Sequence, residues 1–264
     1  MRIGCIGAGK MAEAMLTAWI RKGLARQEDV AASDVSEERR ALMRGSLGIG
    51  AYEDNRRAAE AEVVVLAVKP QHLQEALSSL AAGSLSGRLV ISIIAGKRLA
   101  ALEALLPGAR IVRVMPNLPC VVGEGISAWC AGSGASDADR RTAVRLLSAF
   151  GTAVEVPESQ FDAVTALSGS GPAFLAWVID RLASAAAAQG LSERDAAVFA
   201  RQTMLGTARL LIEQDMTPQA LIRSVASARG TTAAGLAVLD ASDAAAVLER
   251  TISAAAARSR ELSA

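Results

Sequence analysis

Arg2-Ile3-Gly4-Cys5-Ile6-Gly7-Ala8-Gly9-Lys10-Met11-Ala12 decides how the rest of the chain is read. A short apolar run ends in the pattern Gly-x-Gly-x-x-Ala, and the residues that follow have helical spacing of their apolar positions. A strand that turns through glycines into a helix opens a βαβ unit, and each small residue has a mechanical task there. Gly7 permits the tight turn, Gly9 lets the backbone approach a pyrophosphate, and Ala12 allows close packing of helix on strand. Amides at the mouth of the helix then favour an anion. Gly7, Ala8, Gly9, Lys10 and Met11 are therefore the candidate contacts to a dinucleotide. A purely structural glycine turn explains the motif less well, because the elements on both sides of it are those a nucleotide site needs.

Outward from this motif the first 155 or so residues alternate strand-like and helix-like segments, the signature of a parallel α/β sheet. Strands are predicted at 2–6, 29–33, 63–68, 89–94, 109–114, 125–130 and 153–156, and helices at 10–22, 36–45, 71–82, 98–106 and 137–150. The unbroken apolarity of Val63-Val64-Val65-Leu66-Ala67-Val68 suits a central strand covered on both faces. After Pro157 strand-like runs stop and alanine-rich amphipathic segments begin. A helix opening at Gly169–Pro172 should run to about Ala188, and Ser192 and Thr217-Pro218 read as N-cap positions of two more. The predicted fold is thus α/β: an N-terminal Rossmann-type, doubly wound, mainly parallel sheet over 1–157, followed by an all-helical domain over 158–264. Alanine along the late helices suits close helix–helix packing within a tight dimer, or reflects compositional bias alone.

Composition excludes several classes of function. The 264 residues carry 28 basic and 27 acidic side chains, a net charge of +1, so neither nucleic acid nor an anionic membrane surface is a suitable main partner. Aromatic residues are 3%, too few for base-stacking platforms. Cys5, Cys120 and Cys130 are odd in number and form no C-x-x-C pair, which fits a reducing cytoplasm and no metal site. No signal peptide and no long uncharged apolar stretch is evident, so a cytoplasmic protein acting on a small molecule is expected. His72 is the one histidine, and no lysine follows Lys97.

Which dinucleotide binds is left open by the residues themselves. Asp34 ends the second predicted strand, where an acidic residue would accept from an adenosine ribose hydroxyl and favour NAD. Ser33 could instead donate to a 2′-phosphate, with Arg39 and Arg40 one helical turn beyond to pair with it, which favours NADP. Glu37-Glu38-Arg39-Arg40 also reads as an ordinary solvated face.

Four further stretches carry a resemblance. Leu66-Ala67-Val68-Lys69-Pro70-Gln71, Ile91-Ser92-Ile93-Ile94-Ala95-Gly96, Arg113-Val114-Met115-Pro116-Asn117 and Ala166-Leu167-Ser168-Gly169-Ser170-Gly171-Pro172-Ala173, with Gly230-Thr231-Thr232 after them, resemble the pyrroline-5-carboxylate reductase family over nearly the whole chain. The resemblance implies the last step of proline biosynthesis: NAD(P)H reduces the C=N carbon of 1-pyrroline-5-carboxylate to give L-proline. It implies NADP(H) as the preferred cofactor, with NAD(H) second. By analogy Ala67, Val68, Lys69 and Pro70 would pass the nicotinamide end, Asn55 would reach the adenosine ribose, and Ala95 and Asn117 would line the side of hydride transfer. Gly230, Thr231 and Thr232 would hold the substrate carboxylate, with Thr232 near the ring nitrogen and Ser227 assisting, so that Thr232 and Ser227 are the candidate catalytic residues. The resemblance also implies a helical dimerisation domain, an interlocked homodimer, and assembly of five dimers into a decamer.

The chemistry agrees with this reading. A carbonyl reductase must protonate a developing alkoxide and places His, Lys or Tyr beside it. This chain offers little of the kind, and His72 reads as a residue at a helix start rather than an acid. A cyclic iminium already carries its proton, so its site needs orientation more than acid strength. A β-hydroxyacid dehydrogenase would need a lysine in the helical domain, which is lacking here. Glycine at the mouth of a helix followed by two threonines offers N–H groups and hydroxyls to a carboxylate, although a simple helix cap has the same look. The chain departs from the family at three places. Ser227-Ala228-Arg229-Gly230 stands where Ser-Pro-Gly-Gly is usual, Leu118 where threonine is usual, and Phe174 where tyrosine is frequent. These departures keep open a reductase of another cyclic imine, or a non-catalytic NADP-binding regulatory protein.

Overall fold

A computed structural model describes residues 1–263. Its sheet has eight strands, β1 (Ile3–Ile6), β2 (Val30–Ser33), β3 (Gly50–Tyr52), β4 (Val63–Leu66), β5 (Leu89–Ser92), β6 (Arg110–Met115), β7 (Gly125–Ala131) and β8 (Gly151–Glu155), in the order β3-β2-β1-β4-β5-β6-β7-β8. The first six are parallel, β7 runs antiparallel to β6, and β8 is parallel to β7. The order 3-2-1-4-5-6 is that of a dinucleotide-binding sheet, and its crevice opens where the order reverses, at the carboxyl ends of β1 and β4.

The helices of this part are α1 (Lys10–Arg21), α2 (Glu37–Leu47), α3 (Arg56–Ala59), α4 (Leu73–Ser78), α5 (Leu99–Leu105), α6 (Asp137–Leu147) and α7 (Phe161–Val164). α1 forms because Ala12, Met15, Leu16 and Trp19 fall on one face, and all four are buried against the sheet. Trp19 donates from Nε1 to the Leu146 carbonyl (2.8 Å), which joins α1 to α6, and its ring lies 6.3 Å from that of Phe150. α6 begins at a capping box: the Ser136 hydroxyl accepts from the Asp139 N–H, and the Asp139 carboxylate accepts from the Ser136 N–H. The opposite face of the sheet buries Ile6, Val64, Leu66, Val90, Leu102 and Ile111. One core therefore lies on each side of the sheet, and β4 at its centre is apolar throughout.

The structure corrects several sequence-based boundaries. Eight strands replace the predicted seven, because Gly50-Ala51-Tyr52 forms an edge strand too short to show a period. The runs predicted at 63–68 and 89–94 pair only to Leu66 and Ser92, and the residues beyond turn out toward the crevice. The helix predicted at 71–82 is confined to Leu73–Ser78, after a 3₁₀ turn at Pro70–His72 where proline supplies the first residue. The helix predicted at 137–150 ends at Leu147.

The chain divides into two compact units, Met1–Ser170 together with the last turns from Ala255 onward, and Gly171–Ala254. The second unit is helical, with α8 (Gly171–Ala187), α9 (Glu193–Glu213), α10 (Pro218–Val225), α11 (Thr231–Ala241) and the start of α12 (Ala244–Ser263). Ser192 and Thr217 cap α9 and α10, accepting from the N–H three residues on. Within this unit only Gly171 and Ala196 are buried, while Trp177, Phe199, Ile212 and Val238 are each more than 60% exposed. Helices that apolar have no core of their own, and such faces mark surfaces that another chain covers.

Candidate active site

The glycine-rich turn is built by close backbone packing. Gly7 has φ +97°, its N–H donates to the Ser33 carbonyl (2.8 Å), and a Cβ there would lie 2.7 Å from the Ala67 carbonyl. The turn therefore presses against the exit of β4, and no side chain fits between them. Gly9 is the N-cap of α1 with extended backbone and no capping side chain, and a Cβ built on it meets nothing within 4 Å. The first amides of α1 thus open on free space, which is the arrangement a pyrophosphate needs. Ala8 is buried, Met11 packs partly into the core, and Lys10 is exposed.

Asp34 closes this turn. Its Oδ2 accepts from the Ala8 N–H (2.8 Å) and its Oδ1 from the Ser36 N–H (2.9 Å). Arg39 donates from Nε to the Ala8 carbonyl (2.6 Å) and from Nη2 to Glu13 (2.8 Å), with its other terminal nitrogen outside these bonds. Arg40 donates to the Asp34 and Val35 carbonyls and pairs with Glu37 and Glu53. Both arginines therefore brace the β2 exit instead of lying loose on a solvated face. Ser33 requires a correction. Its side chain is fully buried and donates weakly to the Cys5 carbonyl (3.4 Å), so it is held within the sheet against β1 and does not open toward the adenosine side.

Asn55 lies at the start of α3, where its amide donates to the Ala76 carbonyl (2.9 Å) and the Ser79 hydroxyl (3.0 Å). Both its donors tie α3 to α4, and only its oxygen is left for a ribose. Ala67 anchors the β4 exit by donating to the Ile6 carbonyl (2.8 Å), with Val68 half-buried and Lys69 and Pro70 exposed beyond it. Ala95 is exposed on the β5–α5 loop. Asn117 is 9% exposed at the β6 exit, and its Oδ1 accepts from the Ile126 N–H (2.9 Å). The structure thus gathers Gly7–Met11, Asp34, Arg39, Ala67–Pro70, Ala95 and Asn117 at the carboxyl ends of β1, β2, β4, β5 and β6.

The other candidates form a separate cluster at the α10–α11 turn. Gly230 is the N-cap of α11, without a capping side chain, and its N–H donates to the Ser227 carbonyl (3.0 Å). The Ser227 hydroxyl lies 2.4 Å from where a Cβ on Gly230 would go, so any larger residue there would have to turn Ser227 aside. Thr231 is exposed and Thr232 half-buried in the first turn. Arg229 has φ +61°, a left-handed conformation natural to the glycine that the resemblance expects there. His72 starts α4, exposed and 3.6 Å from Glu75. Burial pushes the thiols of Cys5 and Cys130 up to about 12, with the Asp34 charge adding to the first and Glu158 to the second. Thiolate chemistry is thereby removed at both.

Sequence reasoning missed two features. The Ser168 hydroxyl is buried without a hydrogen-bond partner, in a π-helical turn over Thr165–Gly169. Arg113 is buried in β6, 2.7 Å from Glu158 Oε1 and 4.4 Å above the ring of Phe161. A charge inside Ile111-Val112-Arg113-Val114 was the available signal, since a buried guanidinium requires a partner.

Comparison with known proteins gives a consistent result. Residues 158–262 match the family model described as pyrroline-5-carboxylate reductase dimerisation, and residues 2–96 match that of NADP oxidoreductase, coenzyme F420-dependent. The pyrroline-5-carboxylate reductase of Methanosarcina acetivorans is 43% identical over 99% of this chain and 97% of its own length. That of Synechocystis is 39% identical over 99% and 98%. Among solved structures, the pyrroline-5-carboxylate reductase of Coxiella burnetii superposes with a TM-score of 0.94 at 32% identity, covering 100% of this chain and 98% of that one. The Plasmodium falciparum enzyme, solved with NADP bound, superposes with a TM-score of 0.88 at 27% identity over 100% and 98%.

Proposed function

From the premise that this chain belongs to the pyrroline-5-carboxylate reductase family, we propose how its own residues divide the work. The protein is an NADP-dependent oxidoreductase that reduces 1-pyrroline-5-carboxylate to L-proline, the last step of proline biosynthesis. The observation that carries the site reading is the uncapped mouth of α1 at Gly9, beside a turn that Gly7 and Asp34 hold shut. The pyrophosphate of NADP(H) would be held by the amides of Gly9, Lys10 and Met11, and Arg39 offers its remaining nitrogen to the adenosine 2′-phosphate. When bound, NADPH supplies the hydride that adds to the C=N carbon of the ring.

Ala67–Pro70 form the wall along which the nicotinamide half would lie, with Ala95 and Asn117 on the reacting side. Gly230, Thr231 and Thr232 would bind the substrate carboxylate through backbone N–H groups and hydroxyls, and Thr232 would hold the proton on the ring nitrogen by accepting from it. Ser227 supports Gly230 in this arrangement. No group in the chain has to deliver a proton of its own, because the iminium brings one. Residues 1–157 would thus serve the nucleotide, and 158–264 the substrate and the dimer.

The protein is a homodimer through its helical dimerisation domain, which explains the apolar faces of α8–α11. Assembly of five dimers into a decamer is a further proposal, checked by light scattering on the eluting protein. No single helix among the described residues is long and apolar enough to cross a membrane. Three buried, unpaired cysteines suit a reducing compartment, and a cytoplasmic location is proposed on that ground. NADPH oxidation with 1-pyrroline-5-carboxylate, and separately with unsubstituted 1-pyrroline, tests the function. Strong preference for the carboxylated ring is expected, equal use would overturn the carboxylate site, and no turnover of either would overturn the activity.

A further inference from the structure

The β5–α5 loop, which carries Ala95, is held from two sides by residues distant in sequence. At one end the Leu99 N–H, the first amide of α5, donates to Glu158 Oε1 at 2.6 Å, and Arg98 ahead of it supplies no capping side chain. The same oxygen accepts from Arg113 at 2.7 Å, whose guanidinium is 7% exposed and lies on the Phe161 ring. At the other end Gly96 has φ +74°, and a Cβ on it would lie 2.7 Å from the Leu262 carbonyl near the end of α12. The two holders are themselves joined, since the Ser259 hydroxyl of α12 donates to Asp162 Oδ1 of α7 at 2.7 Å. The segment bearing Glu158 and Asp162 then continues along β6 to Gly169, whose Cβ position is 2.8 Å from Met115 Cε, two residues before Asn117.

These contacts close a ring: loop to Glu158, Glu158 along its segment to Asp162, Asp162 to Ser259, and α12 back to the loop. We propose that Glu158 is a positioning residue for hydride transfer, locking the Ala95 loop to β6, whose exit carries Asn117. The proposal rests on the assignment above of Ala95 and Asn117 to the reacting side. Its physical basis is that a single carboxylate oxygen satisfies both a buried cation and an otherwise orphaned amide, so the two strands' exits cannot move independently. A misplacement of about 1 Å at a reacting centre costs on the order of a hundredfold in rate, which is the margin such a lock protects.

The test uses full-length Glu158→Gln, which keeps an oxygen for Leu99 but removes the charge opposite Arg113, and Ser259→Ala, which opens the ring elsewhere without stranding a buried cation. In cofactor-free protein, amide hydrogen exchange over residues 95–99 should quicken about tenfold in both. With 1-pyrroline-5-carboxylate, kcat should fall about tenfold while both KM values change less than about twofold, and the isotope effect from NADPH deuterated at the transferred position should grow. Wild-type exchange in the loop of Ser259→Ala would overturn the ring. Faster exchange with wild-type kcat and isotope effect in both variants would show the lock to be structural only, and overturn the positioning role. Absence of turnover by the wild-type protein would instead fail the functional reading, while the exchange result would still judge the ring.

Discussion

Asp34 and Ala8 are joined by a 2.8 Å hydrogen bond in which the Ala8 N–H donates to the carboxylate, so the acidic residue at the end of β2 closes the glycine-rich turn. The carboxylate also accepts from Ser36, so it braces both the glycine-rich turn and the start of α2, and it places a negative charge where the proposed site would receive the adenosine ribose. Asparagine keeps one acceptor and removes the charge. Asp34→Asn is expected to raise the ratio of kcat/KM for NADPH over NADH by about five- to tenfold, on the order of 1 kcal/mol of relieved repulsion. Parallel titrations of the two cofactors check it, and an unchanged ratio would clear Asp34 of any part in the choice.

Thr232 stands in the first turn of α11, two residues after the uncapped Gly230. Thr232→Ala is expected to lower kcat/KM for 1-pyrroline-5-carboxylate by about ten- to a hundredfold, the range of a hydrogen bond to a charged group. Both kcat and KM should move, whereas the KM for NADPH should not. Steady-state kinetics with each substrate varied in turn separates these effects.

Arg229 occupies a left-handed conformation at φ +61°, which costs a non-glycine residue about 1 kcal/mol. Arg229→Gly should therefore raise the thermal midpoint by about 2–4 °C. With the carboxylate assigned, as proposed, to backbone N–H groups and threonine hydroxyls, KM for the substrate should stay within about twofold. A large increase in KM would instead assign the guanidinium to the substrate.

Asp139 gives a pH signature. Burial alone would push its carboxyl up, but the hydrogen bonds from Ser136 and the Arg110 guanidinium prevail and hold it below the usual carboxylate range. A depressed folded-state pKa contributes stability that is fully present above the unfolded value of about 3.9 and is lost as pH falls through the folded value. Asp139→Asn should cost about 1–2 kcal/mol at pH 7, through the weakened capping box and ion pair, and the gap to wild type should shrink below about pH 4. Urea midpoints at fixed protein concentration across that range check the convergence.

Much of the nucleotide half is legible from the chain alone, because local patterns carry it. Val63-Val64-Val65-Leu66 and the spacing of Ala12, Met15, Leu16 and Trp19 specify a buried strand and an amphipathic helix whatever surrounds them. Gly7 announces a tight turn because few other residues allow its geometry, and Gly9 beside it leaves the mouth of α1 open. Gly50-Ala51-Tyr52 escapes notice because three residues display no period, and its pairing with β2 is a tertiary event.

The family and the order of its elements follow from the sequence by itself, since they depend on residue type and short spacing. Which way a side chain faces does not. Ser33 and Asp34 are neighbours that both offer polar groups to a nucleotide, yet pleating sends one into the core and the other to the turn. The meeting of Leu99, Arg113 and Glu158 at one oxygen exists only because the chain leaving β8 reaches β6 and the start of α5, and that of Asp162 with Ser259 across 97 positions only because the fold returns α12 to α7. Long-range contacts of this kind carry no local signal, and only tertiary packing supplies them.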